Sequence, residues 1–146
     1  MKKLLLAVSL LTSLSVSAKW QHVEQIDPMT DLDTSFIMTA DDDNTLAVRC
    51  DGGEADIIVN VGYIGSKIST IMARFDKNEP IYVPASPSTN GRAAFIDDDK
   101  EQQLIDGFKK HGKVAFLATD FRGSRKYGIF NLTGFTEQAR KLSCLK

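Results

Sequence analysis

Cysteine and histidine are scarce in this chain, with two of each among 146 residues: Cys50 and Cys144, His22 and His111. Zinc sites need clustered ligands or a spacing such as HExxH, and these four residues offer neither. There is no CxxC pair, and no histidine stands near either cysteine in sequence, so nothing marks a thiol activated for catalysis. A dominant charge is also lacking. Eighteen Lys and Arg stand against nineteen Asp and Glu, without a long tract of either sign, and bulk nucleic-acid binding is disfavoured. No apolar run reaches the roughly 20 residues of a comfortable transmembrane helix. There is no internal repeat and no low-complexity linker to divide the chain.

What is present begins with a leader. Lys2 and Lys3 precede a mostly apolar stretch from Leu4 to Val16, and Val16-Ser17-Ala18 places small residues at a cleavage site. This is the pattern of a secretory signal peptide, residues 1–18, removed after Ala18. No cysteine follows the junction to accept a lipid, so no stable membrane insertion is expected after cleavage. Residues 19–146 are then one domain, long enough to bury its own core. They carry sixteen basic and nineteen acidic residues, a formal charge of −3. Export also bears on the cysteines: in an oxidising compartment Cys50 and Cys144 are expected to pair, the alternative being two buried thiols.

The strongest local signal is a hairpin over residues 45–59, two apolar arms joined by Asp51-Gly52-Gly53. In its first arm Leu46, Val48 and Cys50 share one face, and Thr45, Ala47 and Arg49 point the other way. Further strands are expected at 19–26, 34–39, 67–75, 81–83 (stopped by Pro84), 91–96, 114–119 and 127–132. Asp98 stands three residues before Glu101 in the manner of a capping box, and Leu104, Ile105 and Phe108 form the apolar stripe of the helix that follows. Phe135, Ala139 and Leu142 recur at helical spacing, predicting a short closing helix with Cys144 at its end. About eight to ten short strands with two short helices give a mainly β domain, expected as a β-sandwich.

Little of this points to catalysis. Asp41-Asp42-Asp43 and Asp97-Asp98-Asp99 lack the alternating ligands and sharp glycine bend of a calcium loop, and read as a solvated turn and a helix start. Gly65-Ser66 lacks the second glycine of a nucleophile elbow. No pair of carboxylates is singled out for sugar hydrolysis. The chain is read as no enzyme, with no catalytic residue, no metal site and no cofactor. Partner contact is a better reading. Arg122, Arg125 and Lys126, flanked by Phe121 and Tyr127, have the composition enriched at protein interfaces. Tyr82 with Pro84 and Pro87 forms a second patch. Arg74 and Asp76, two residues apart, are expected to share a strand face as an ion pair or partner contact.

The order of these features carries a resemblance. Trp20, then Asp27-Pro28-Met29-Thr30-Asp31, Leu46-Ala47-Val48-Arg49-Cys50, Arg74-Phe75-Asp76, Phe130-Asn131-Leu132-Thr133-Gly134-Phe135 and Cys144 together resemble the VasI-like periplasmic proteins associated with type VI secretion. The resemblance implies a periplasmic, non-enzymatic accessory protein with paired cysteines; a binding module that contacts another envelope protein is the first expectation for its role. The end, Cys144-Leu145-Lys146, departs from it by lacking an aromatic residue near the last cysteine. An alternative from a different class is a periplasmic inhibitor or immunity protein that blocks a cell-wall-active enzyme by inserting a loop.

Overall fold

The described residues hold nine strands: β1 (Gln21–Val23), β2 (Phe36–Asp41), β3 (Asn44–Asp51), β4 (Glu54–Asn60), β5 (Thr70–Phe75), β6 (Ile81–Pro87), β7 (Ala94–Ile96), β8 (Lys113–Thr119) and β9 (Arg125–Asn131). Two α-helices, α1 (Asp98–Lys110) and α2 (Phe135–Ala139), complete the list, with a terminal 3-10 turn at Ser143–Leu145. The computed structural model describes residues 19–68 and 70–146; the expected leader, residues 1–18, lies outside them. The Asp51–Glu54 turn forms as its glycines predict: Gly52 and Gly53 take φ of 60° and 94°. Two successive positive values match the right-handed twist of the flanking strands, and glycine adopts them without a Cβ clash.

All nine strands belong to one open antiparallel sheet, in the order β1-β2-β3-β4-β7-β6-β5-β8-β9. The fold is therefore mainly β as expected, but the two stacked sheets of a sandwich are not shown. Period-two alternation says which side chains leave water, not what they meet. Here the inner face of the sheet packs on the helices, and β9 comes back within reach of β2 and β3. Asn44 Nδ2 donates to the Tyr127 carbonyl at 3.4 Å across that approach.

The inner face is apolar on strand after strand: Val48 and Cys50, Ile57 and Val59, Ile71 and Ala73, Phe116 and Phe130 are all buried. Each large aliphatic or aromatic side chain taken from water contributes about 1.5–3 kcal/mol. Helix α1 inserts Leu104, Ile105 and Phe108 into this core. Phe108 lies edge-on to Phe116 and Phe135, with centroids 6.4 and 5.2 Å apart, and Phe135 is edge-on to Trp20 at 5.0 Å. The buried indole keeps its polar handle satisfied, since Nε1 donates to the Asn131 carbonyl at 3.0 Å.

Three local expectations are corrected. Pro84 does not stop its strand. It stands opposite Thr70 where β6 leaves β5, and Ala85 already pairs with Ile96 of β7, so the missing N–H falls where the strand changes neighbours. The cap position of α1 is Asp97 rather than Asp98, and Asp97 makes no side-chain cap bond. The Asp97 carboxylate instead accepts from the Ser86 hydroxyl at 3.3 Å, while Glu101 Oε1 accepts from the Ile57 amide at 3.2 Å. That amide lies just beyond the short β4–β7 pairing at Ile58 and Val59, so α1 supplies the acceptor that the sheet does not. Finally, α2 ends at Ala139, and Cys144 sits in the separate 3-10 turn. Cys50 and Cys144 are joined by a disulfide, with Cα atoms 5.6 Å apart and a sequence separation of 94.

Candidate functional site

Antiparallel register across β6, β5, β8 and β9 builds one continuous outer rung. Tyr82 pairs with Met72, Met72 with Leu117, and Leu117 with Tyr127. A second rung runs from Arg74 through Ala115 to Ile129. Between them lies a shallow groove of about 270 Å³, bordered by Met72, Arg74, Leu117, Arg125, Tyr127 and Ile129. Tyr82 and Tyr127 are 70% and 64% exposed and Ile129 48% exposed, so this face offers large apolar groups to the surroundings.

Its charge is one-sided. Alternation puts Thr70, Met72 and Arg74 of β5 on this face, with Lys113, Ala115, Leu117 and Thr119 of β8 and Arg125, Tyr127, Ile129 and Asn131 of β9. Tyr82, Pro84 and Ser86 of β6 join them. Among these strand residues three are cations and none is a carboxylate, although acidic residues outnumber basic ones in the whole sequence; the Asp97 carboxylate reaches only the β6 edge, at Ser86. Arginine and tyrosine together on an exposed apolar face are the residue types that anchor protein interfaces.

The residues singled out by sequence are distributed as follows. Arg125 and Tyr127 stand on the outer face, joined there by Arg74. Lys126 points the opposite way and is half-buried, because successive side chains on a strand alternate. Arg122 lies in the β8–β9 turn with its guanidinium 5.1 Å from the centroid of the exposed Phe121 ring. The turn is held by Asp120, whose Oδ1 accepts from the Arg122 and Ser124 amides at 2.9 and 2.8 Å. Tyr82 belongs to the same face as Tyr127, which merges the two patches read separately from sequence. Met72, Leu117 and Ile129 were not singled out. The alternation of each strand marks them as outward, but only the register brings them side by side.

Arg74 and Asp76 do not form the expected ion pair. Arg74 Nε donates to the Asn78 carbonyl at 2.7 Å and Nη2 to the Lys77 carbonyl at 3.2 Å, closing the turn after β5. Asp76 has already left the strand with φ of 48°, so the alternation that would place it beside Arg74 no longer applies. Its carboxylate meets His111 Nδ1 at 3.0 Å and accepts from the Gly112 and Lys113 amides at 3.2 and 3.1 Å. Partial burial pushes the Asp76 carboxyl up, but the bonds from His111, Lys113 and Gly112 outweigh it and leave the group below its ordinary value. His111 also stacks on Phe75 with centroids 4.9 Å apart, a structural role at the end of α1.

Arg49, outward from Cys50, is half-buried and pairs across the hairpin with Asp56, and with Asp51 at 3.6 Å. The Asp41–Asn44 segment is the two-residue turn of a hairpin, with Asp42 at φ of 51°. Comparison of the chain with protein-family models, with curated proteins and with solved structures gives no match.

Proposed function

We propose that the chain is an exported periplasmic accessory protein, not an enzyme, that binds another envelope protein through the outer face of β6, β5, β8 and β9. The observation that carries this reading is the meeting of exposed Tyr82, Tyr127 and Ile129 with Arg74, Lys113 and Arg125, without a carboxylate among them. Such a face disfavours its own copy, since a two-fold contact would bring like charges together. It suits a different protein, with an apolar centre and an acidic rim. The leader pattern supports export, and the resemblance to VasI-like proteins supports a link to type VI secretion.

The test is affinity capture from the periplasm with the full chain and with Arg125→Glu and Tyr127→Ala variants. One stoichiometric envelope protein is expected with the parent chain, lost with either variant while the circular dichroism melt stays in place. Equal capture by parent and variants would overturn the assignment of this face. A secretion-system component in the captured complex would support the secretion link, and a cell-wall-active enzyme would favour the inhibitor reading instead.

A further inference from the structure

The connection between β1 and β2 is a second exposed surface, unlike the first in charge and in shape. Its tip carries Met29, 89% exposed, flanked by Ile26 at 53% and Leu32 at 46%. Because Ile26 stands opposite Asp33, Ile26 and Leu32 lie on opposite faces of the loop, so with Met29 at the end the segment is apolar on both sides, the form of a wedge held between two walls. The loop is also stiff. The Asp27 amide donates to the Leu32 carbonyl at 2.9 Å and the Asp31 amide to the Asp27 carbonyl at 2.9 Å. Asp27 Oδ1 accepts from the Met29 amide at 2.7 Å and the Thr30 amide at 3.3 Å. Asp31 holds φ of 57°, which aspartate tolerates better than most residues.

The base of the loop is tied down as well. Ile26 and Asp33 form an isolated antiparallel bridge, the Thr34 amide donates to the Gln25 carbonyl at 2.9 Å, and the Gln25 amide donates to Ser35 Oγ at 3.0 Å. Asp33 accepts a hydrogen bond from Ser143, beside the disulfide that fixes the end of the chain. A loop ordered in advance loses little entropy on binding, and the unbranched Met29 side chain adapts to an irregular cavity.

We propose that this loop is an insertion element: Met29, with Ile26 and Leu32 beside it, enters an apolar cleft on a partner protein whose rim carries Lys or Arg. The rim charge follows from the flanks. Glu24, Asp27, Asp31 and Asp33 border the tip, and no Lys or Arg occurs between Trp20 and Val48. Complementary charge on the partner steers encounter and sets the orientation of entry. The same carboxylates oppose an anionic bilayer and oppose the identical loop of a second copy. This inference stands apart from the outer cationic face and does not depend on it.

The experiment places photoreactive p-benzoylphenylalanine at position 29 of the full chain in living cells of the source organism, with the same group at the exposed turn position 79 as reference. A protein adduct specific to position 29 is expected, its cross-linked residue lying in an apolar cleft bordered by Lys or Arg. Ile26→Asp and Leu32→Asp are expected to reduce that adduct about tenfold with the melt of the purified protein unchanged. The proposal is overturned by the absence of an adduct, by equal adducts from positions 29 and 79, by cross-linking to a second copy, or by a cross-linked site with an acidic rim. Binding of the purified chain to phosphatidylethanolamine–phosphatidylglycerol vesicles, lost on Met29→Asp, would also overturn it in favour of a membrane surface.

Discussion

Gly107 of α1 lies so close to Phe75 of β5 that a Cβ on the glycine would stand 2.2 Å from the ring Cζ. The ring cannot easily swing aside, because His111 stacks on it and Phe108 lies at 6.0 Å between centroids. Gly107→Ala should therefore destabilise the fold although alanine is the better helix former. The propensity gain is about 1 kcal/mol, whereas overpacking costs about 1–3 kcal/mol. A net loss of up to about 2 kcal/mol is expected in the unfolding free energy obtained by urea titration. Adding Phe75→Leu should recover part of it, and a purely additive double variant would disprove the contact.

The disulfide closes 94 positions of chain, for which the loop-entropy account gives about 4–5 kcal/mol. Cys50→Ser with Cys144→Ser should lower the free energy of unfolding by about 2–5 kcal/mol. The cost includes burial of a serine hydroxyl at position 50, where the side chain is fully enclosed. Thiol labelling of the denatured protein should find no free thiol before reduction and two after it.

Asp33 gives a test at acid pH. The Ser143 hydroxyl, then the Ser35 hydroxyl and amide, lower its carboxyl from 3.8 to about 2. A depressed folded pKa contributes stability in full above the unfolded value and loses it as pH falls through the folded one. The contribution should thus fade between pH 3.8 and about 2. Ser143→Ala should move the Asp33 titration, followed by carboxyl carbon NMR, upward toward its ordinary value and leave less stability to lose in that window. An unshifted titration would remove the Ser143 contact from the account.

Asp76 combines a left-handed backbone with a three-way acceptor. Asp76→Ala should cost about 1–2 kcal/mol from the positive φ alone, with a further loss as the Gly112 and Lys113 amides lose their acceptor. Asp76→Asn, which tolerates the same backbone and keeps one carbonyl oxygen, should cost less. Equal losses in thermal melts would show that the backbone conformation is not what selects this residue.

Much of the local structure is legible in the sequence because it depends on near neighbours. Glycines at 52 and 53 suit only a turn with positive φ, and Leu46, Val48 and Cys50 alternate with Thr45, Ala47 and Arg49, so the first hairpin and its buried face are readable directly. The pairing of Cys50 with Cys144 is expected because only two cysteines exist. Pro84 is harder. Its effect depends on which strand stands opposite, and that is set by a change of neighbours no local window contains. Arg74 and Asp76 mislead for a related reason: two-residue spacing implies a shared face only while the strand continues, and the chain bends at Asp76.

The outer face shows the limit most plainly. Alternation by itself determines that Tyr82, Met72, Leu117 and Tyr127 point outward, because a strand's side chains change sides at every residue. Only the tertiary structure decides that they stand in one row with Arg74 and Arg125 beside them. The sheet order follows from closing one core around α1, Phe108 and Phe135, and a pairing such as β5 with β8 is fixed by that collective packing rather than by either strand's own residues. Sequence likewise marks Asp27-Pro28-Met29-Thr30-Asp31 as a turn. The hydrogen bonds to Leu32, Ser35 and Ser143 make it a stiff loop with an exposed apolar tip.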